Sequence, residues 1–182
     1  MATSEATRYT YKMKKGQLLG QPLVFVFALI AGAMILAWGV NTVLKMGVTA
    51  GKVEIGEFAM SVQGKTSQYL NFDEGSSTTI AVKLPPKTTY VCFFDSSKDK
   101  NCMLDGKPCQ MAQLDQGFAA LANTKIQDNM FFLPISAYEG MGKKLIKDLK
   151  ADTEAGNPLC FRNQAGNKIT LRSMGTYVAV TQ

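Results

Sequence analysis

The sequence predicts an α+β chain: a long N-terminal transmembrane helix, then an antiparallel β-rich, sandwich-like head with one or two short helices. Three observations predict it. Gln17 to Leu44 contains no Asp, Glu, Lys or Arg; as a helix it would rise about 42 Å, whereas a bilayer core of about 30 Å needs only about 20 apolar residues. The polar remainder of the 182-residue chain has the size of one domain. Short β-branched and aromatic runs, punctuated by Gly, Pro and Asn, recur through that remainder. The chain therefore divides into a basic cytoplasmic leader or tail (1–16), a transmembrane helix (17–45), a stem helix or linker (46–71) and an extracytoplasmic head (72–182).

The leader carries Arg8, Lys12, Lys14 and Lys15 against Glu5. Positive residues flanking a transmembrane helix stay on the cytoplasmic side, so Lys12, Lys14 and Lys15 mark the inner flank and the C-terminal domain is expected outside. Trp38 lies near the outer end, where aromatic residues favour the interface. Three readings of the apolar segment stand at this point. It is a plain signal anchor spanning once; or a cleaved secretory signal, which its length and the poor exit at Trp38-Gly39 disfavour; or the stem of a prepilin.

The third reading rests on Lys14-Lys15-Gly16-Gln17, followed at once by the apolar run. This junction resembles that of archaeal type IV pilins and archaellins, which carry class III signal peptides. The resemblance implies cleavage between Gly16 and Gln17 and a helix that stays in the mature subunit as filament core. The chain departs from that pattern at Gln21, which is neutral where many such pilins carry an acid. More loosely, KKGQLLGQP, LNFDEGSS with YVCFFD, and NPLCFRN with GNKITLRS resemble small single-pass archaeal membrane proteins of unknown function. That resemblance implies a surface protein without enzymatic activity.

Beyond the membrane segment, Ile55, Phe58, Ala59 and Val62 keep the i, i+3, i+4, i+7 spacing of an amphipathic helix. The stem helix is expected to reach about Tyr69, with an extended linker as the alternative. Asp73-Glu74-Gly75-Ser76-Ser77 reads as a turn, since two carboxylates fall short of a calcium site. Thr78 to Leu84 alternates, with Ile80, Val82 and Leu84 on one face. Thr88 to Asp95, Met130 to Leu133, Leu159 to Arg162, Lys168 to Arg172 and Tyr177 to Val180 read as further strands. The fourth and fifth of these six, joined through Asn163 to Asn167, predict a hairpin. Helices are expected at Gln110 to Ala122 and at Glu139 to Ala151, the latter from the Met141, Leu145, Leu149 stripe with Lys143, Lys144, Lys147 and Lys150 around it. Gly140-x-Gly142 lacks a phosphate-loop frame and reads as a turn.

Composition excludes much chemistry. The chain has no histidine, which removes Ser/His and Cys/His hydrolases. No P-loop or GxGxxG occurs, so no enzyme, cofactor or metal site is expected. The net charge of +6 is split evenly between the leader and the rest, too dilute in the head for nucleic acid. The expected partners are the lipid bilayer and, through the N-terminal helix, other copies or membrane proteins.

Cys92, Cys102, Cys109 and Cys160 lack paired zinc spacing. Three disulfide pairings are possible, or four buried thiols. Cys102–Cys109, closing a short loop, and Cys92–Cys160, joining two strands in which each Cys precedes Phe, are the favoured bridges.

Overall fold

The computed structural model describes residues 20–138, 140–152 and 154–181. Helix α1 spans Gly20–Tyr69. It is divided between two compact units, one ending at Lys45 and one running from Met46 onward. In the first unit the helix surface is apolar on nearly every side and mostly exposed.

From Met46 onward α1 is amphipathic. Gly51, Ile55, Phe58, Ala59, Val62 and Thr66 are buried, while Glu54, Glu57 and Ser61 between them face solvent. The spacing is that of one helical face packed on a core. Thr66, inside that face, returns its hydroxyl to the Val62 carbonyl (2.8 Å), so no polar group is stranded.

The head contains two sheets. Strands β1 (Ser77–Ala81), β9 (Lys168–Ser173), β10 (Val178–Thr181) and β7 (Leu149–Ala151) form the four-stranded sheet in the order β1-β9-β10-β7. The six-stranded sheet runs β4-β3-β8-β2-β5-β6. Its strands are β2 (Tyr90–Phe93), β3 (Met103–Leu104), β4 (Lys107–Pro108), β5 (Met130–Leu133), β6 (Lys143–Lys144) and β8 (Leu159–Arg162). Pairing is antiparallel except for β10 with β7 and β3 with β8. The α+β class, the long N-terminal apolar helix and the presence of short helices follow the sequence expectation; the placement of those helices does so only in part.

The centre of the six-stranded sheet is buried on both faces, and its period of two sorts the side chains between two cores. Val91, Phe93, Met130, Phe132, Leu159 and Phe161 join Ile55, Phe58 and Val62 of α1 and Ile80, Ile169, Leu171, Val178 and Val180 of the other sheet. The alternate residues Cys92, Phe131, Leu133 and Cys160 form the second core with Phe94, Phe118 and Ala122. Phe94, Phe118 and Phe131 meet there, with ring centroids 5.0–6.3 Å apart. Fully burying a Phe contributes about 1.5–3 kcal/mol, so both faces are stabilising.

Helices α2 (Met111–Leu114) and α3 (Gln116–Ala122) cover the second core. A single helix was expected over Gln110 to Ala122, but Asp115 breaks it. Its backbone is extended (φ −165°), its Oδ1 accepts the Phe118 N–H (2.7 Å) to cap α3, and its Oδ2 accepts the Ile135 N–H (3.1 Å).

Two expectations are corrected. The helix over Glu139 to Ala151 does not form in the described residues, which exclude Glu139. Ile146 and Leu149 are buried but Leu145 is 58% exposed, so the apolar stripe is not a face. Asn129 takes the backbone groups that a helix would need: its Oδ1 accepts the Ile146 N–H (2.8 Å), and its Nδ2 donates to the Ile146 and Leu149 carbonyls (2.8 and 2.7 Å). Asp148 is left-handed (φ 59°), which again interrupts a helix. The four lysines are accordingly dispersed, with Lys143 and Lys144 in β6 and Lys150 in β7.

The hairpin of β8 with β9 is also absent: β8 pairs with β2 and β3, β9 with β1 and β10. The intervening turn carries the chain from one sheet to the other. Asn163 anchors that corner, its Nδ2 donating to the Leu84 and Thr88 carbonyls (3.0 and 2.8 Å) and its Oδ1 accepting the Leu84 N–H (3.2 Å). Asn157, 1% exposed, plays the same part for residues 95–99: it accepts the Asp95 N–H (2.9 Å) and donates to the Asp95 and Asp99 carbonyls (2.8 and 3.1 Å).

A Cβ at Gly51 would collide with the buried Tyr138 ring, whereas one at Gly64 meets open space. Gly64→Ala should therefore stabilise the chain by up to about 1 kcal/mol through helix propensity. Gly51→Ala should destabilise it by about 1–3 kcal/mol through overpacking. Urea unfolding of the detergent-solubilised chain, followed by near-ultraviolet circular dichroism, measures both; equal midpoints would refute the Gly51–Tyr138 packing.

Candidate functional site

Two surfaces stand out. The first is the helix up to Lys45. Among the described residues, one helix is long and apolar enough to cross a membrane, and its most apolar window has no buried residue. Leu23, Phe25, Phe27, Leu29, Leu36 and Trp38 are each about 70% exposed. An exposed apolar surface of this extent marks contact with lipid or with another protein. From Pro22 to Leu44 the helix rises about 34 Å, slightly more than a hydrocarbon core. Polarity returns at Asn41 and Thr42, just past Trp38; Thr42 satisfies its hydroxyl on the Trp38 carbonyl (2.9 Å). Cβ atoms at Gly32 and Gly39 would meet nothing, so the helix carries shallow notches at both.

The second surface is an open cleft of about 660 Å³ in the head, within the usual range of small-ligand sites. One wall is the end of the β2–β8 pair, where Tyr90 and Arg162 are direct cross-strand partners. The Arg162 guanidinium carbon lies 6.0 Å from the Tyr90 ring centroid. Asp105 braces it, Oδ2 being 3.9 Å from Arg162 Nε and Oδ1 accepting the Arg162 backbone N–H (3.2 Å). The β3–β4 turn, which lies beside β8 in the same sheet, and the segment running into α2 supply the rest, with Leu104, Lys107, Pro108, Cys109, Gln110, Gln113 and Leu114; Gln164 completes the lining. Asp105 (φ 45°) and Gly106 (φ 76°) form the tight turn between β3 and β4. This left-handed pair is what lets so short a hairpin reverse.

Both disulfides frame this cleft. Cys92 and Cys160 pair across β2 and β8, two positions along from Tyr90 and Arg162 on each strand, with Cα atoms 4.0 Å apart. Cys102 and Cys109 close the β3–β4 turn. Among the described residues no cysteine is free, and no group of three or more His, Cys, Asp or Glu side chains could hold a metal ion.

The remaining residues singled out in the sequence fall as follows. Lys12, Lys14, Lys15, Gly16 and Gln17 lie outside the described residues. Trp38 projects from the apolar helix, 73% exposed. Lys143 pairs with Asp128 (3.1 Å), and Lys150 lies over the Tyr177 ring (4.6 Å), so these lysines do not act as one basic face. Sequence reasoning did not find Tyr90, Asp105, Arg162 or the glutamines. The available signal was Asp105-Gly106 inside a Cys-bounded loop, together with a lone arginine ending an otherwise apolar strand.

The chain matches no protein-family model, no curated protein and no solved structure.

In the chain-entropy account a bridge stabilises according to the length of the loop it closes. The bridged residues are 68 apart for Cys92–Cys160 and 7 apart for Cys102–Cys109. Replacing both members by Ala should cost about 4 kcal/mol for the first pair and about 2.5 kcal/mol for the second. Urea midpoints of the two double variants test this, and a larger loss from the Cys102–Cys109 pair would contradict it.

Proposed function

We propose that the chain is a pilin-like structural or adhesive cell-surface subunit. In this reading the apolar half of α1 is the membrane anchor before assembly and the filament core after it. The observation that carries the reading is the all-round exposure of large apolar side chains from Leu23 to Met46. That surface needs a bilayer or neighbouring copies of itself. The Lys14-Lys15-Gly16-Gln17 junction and the charge-free run behind it support processing by a prepilin-type peptidase. Lys12, Lys14 and Lys15 support a cytoplasmic N-terminus. Two disulfides in the head suit an oxidising compartment on the opposite side.

The head cleft favours a second reading, a single-pass anchored binding ectodomain that does not assemble. The two differ in what happens to residues 1–16. The intact mass of the protein recovered from its native membranes separates them. A chain beginning at Gln17 is the expected result for the pilin-like subunit, whereas a chain retaining Met1 leaves the anchored ectodomain. A mass deficit of four hydrogens in the same spectrum is expected from the two bridges.

A further inference from the structure

We propose that the cleft between Tyr90, Arg162 and the Cys102–Cys109 loop binds an acidic saccharide, its carboxylate held by Arg162 and its hydroxyls by glutamine amides. This site belongs to the head alone and does not depend on filament assembly.

Arg162 is prepared for an anion. Tyr90 backs its guanidinium and Asp105 sits at its Nε edge. Among the described residues its terminal Nη groups make no hydrogen bond or ion pair, so the fork suited to a carboxylate is unspent. Lys107, in the same lining, has no ion pair among the described residues, and the two cations outweigh Asp105. Among the described residues, the side chains of Gln110, Gln113 and Gln164 line the same space and make no hydrogen bond. Each offers a carbonyl acceptor and two N–H donors, the combination that neighbouring hydroxyls satisfy.

Other ligand classes fit less well. Peptide addition as a strand is blocked at the sheet edge, because Pro108 in β4 has no N–H to donate. An Arg fork also suits a phosphate, but the three glutamine amides beside it match hydroxyls better than further phosphate charge. The site is also held in advance of binding. The Cys92–Cys160 bridge fixes the register that sets Arg162 opposite Tyr90, and the Cys102–Cys109 bridge fixes the β3–β4 turn. Both covalent constraints of the head converge on one cleft, which limits the ordering cost of binding.

The test is calorimetric titration of the full chain in detergent with a tetramer of galacturonic acid at low salt. Saturable binding is expected, about tenfold or more weaker in Arg162→Gln through loss of the charge-assisted pair. A galactose tetramer should bind at least about tenfold more weakly than the acidic one, for the same reason. Gln113→Ala, in the α2 part of the lining, should weaken both tetramers. Free-thiol titration establishes that each variant keeps its bridges; should Arg162→Gln fail it, Lys107→Gln and Gln113→Ala carry the test. The proposal is overturned by absence of binding to the acidic tetramer, by unchanged affinity in the variants, or by equal affinity for the neutral tetramer. Equal affinity for an acidic peptide of the same charge overturns it as well, since the cleft would then read charge and not sugar.

Discussion

The pairing of β2 with β8 is the constraint on which the head depends. Cys92 faces Cys160 across it, and that register decides everything to either side. Val91, Phe93, Leu159 and Phe161 go to the core shared with α1 and the four-stranded sheet; Cys92 and Cys160 go to the core under α2 and α3. A slip of one residue would exchange the two sets, sending the bridge into the wrong core and Arg162 away from Tyr90. One covalent bond thus guards the sorting of two cores and the geometry of the cleft.

Around that pair, asparagine side chains do what regular secondary structure does elsewhere. Asn129, Asn157 and Asn163 each use carbonyl and amide together to satisfy the backbone of an irregular segment. Leaving such a backbone group buried and unpaired costs about 1–3 kcal/mol, so these residues are what make long, non-repetitive connections compatible with packing against the core. Asn129 also explains why the chain prefers a pinned loop and short strands over residues 140–151, where its apolar spacing alone suggests a helix.

Much of the architecture was legible in the sequence because it rests on periodicity. The charge-free run, the Ile55, Phe58, Ala59, Val62 face of α1 and the inward set Ile80, Val82 and Leu84 all follow from the geometry of one element against one core. What was not legible depends on partners distant in the chain. The Met141, Leu145, Leu149 stripe is a valid helix pattern until Asn129 takes the groups at Ile146 and Leu149. Asn163 to Asn167 is a valid hairpin turn until β9 finds β1 and β10. The cleft was hidden for the same reason: Tyr90, Asp105 and Arg162 are far apart in sequence and meet only through strand register.

The buried face of α1 beyond Met46 has a mechanical meaning. Ile55, Phe58 and Val62 are interior residues of the head's own core, so the head is seated on this part of the helix by interlocked side chains. A tether would let the head swivel and would go slack under tension. Here the strands and the Ile55–Val62 face share one packed interior, so a pull on the head is borne by that interior. Detaching the head from its stem then requires breaking its core, which makes the joint as strong as the fold.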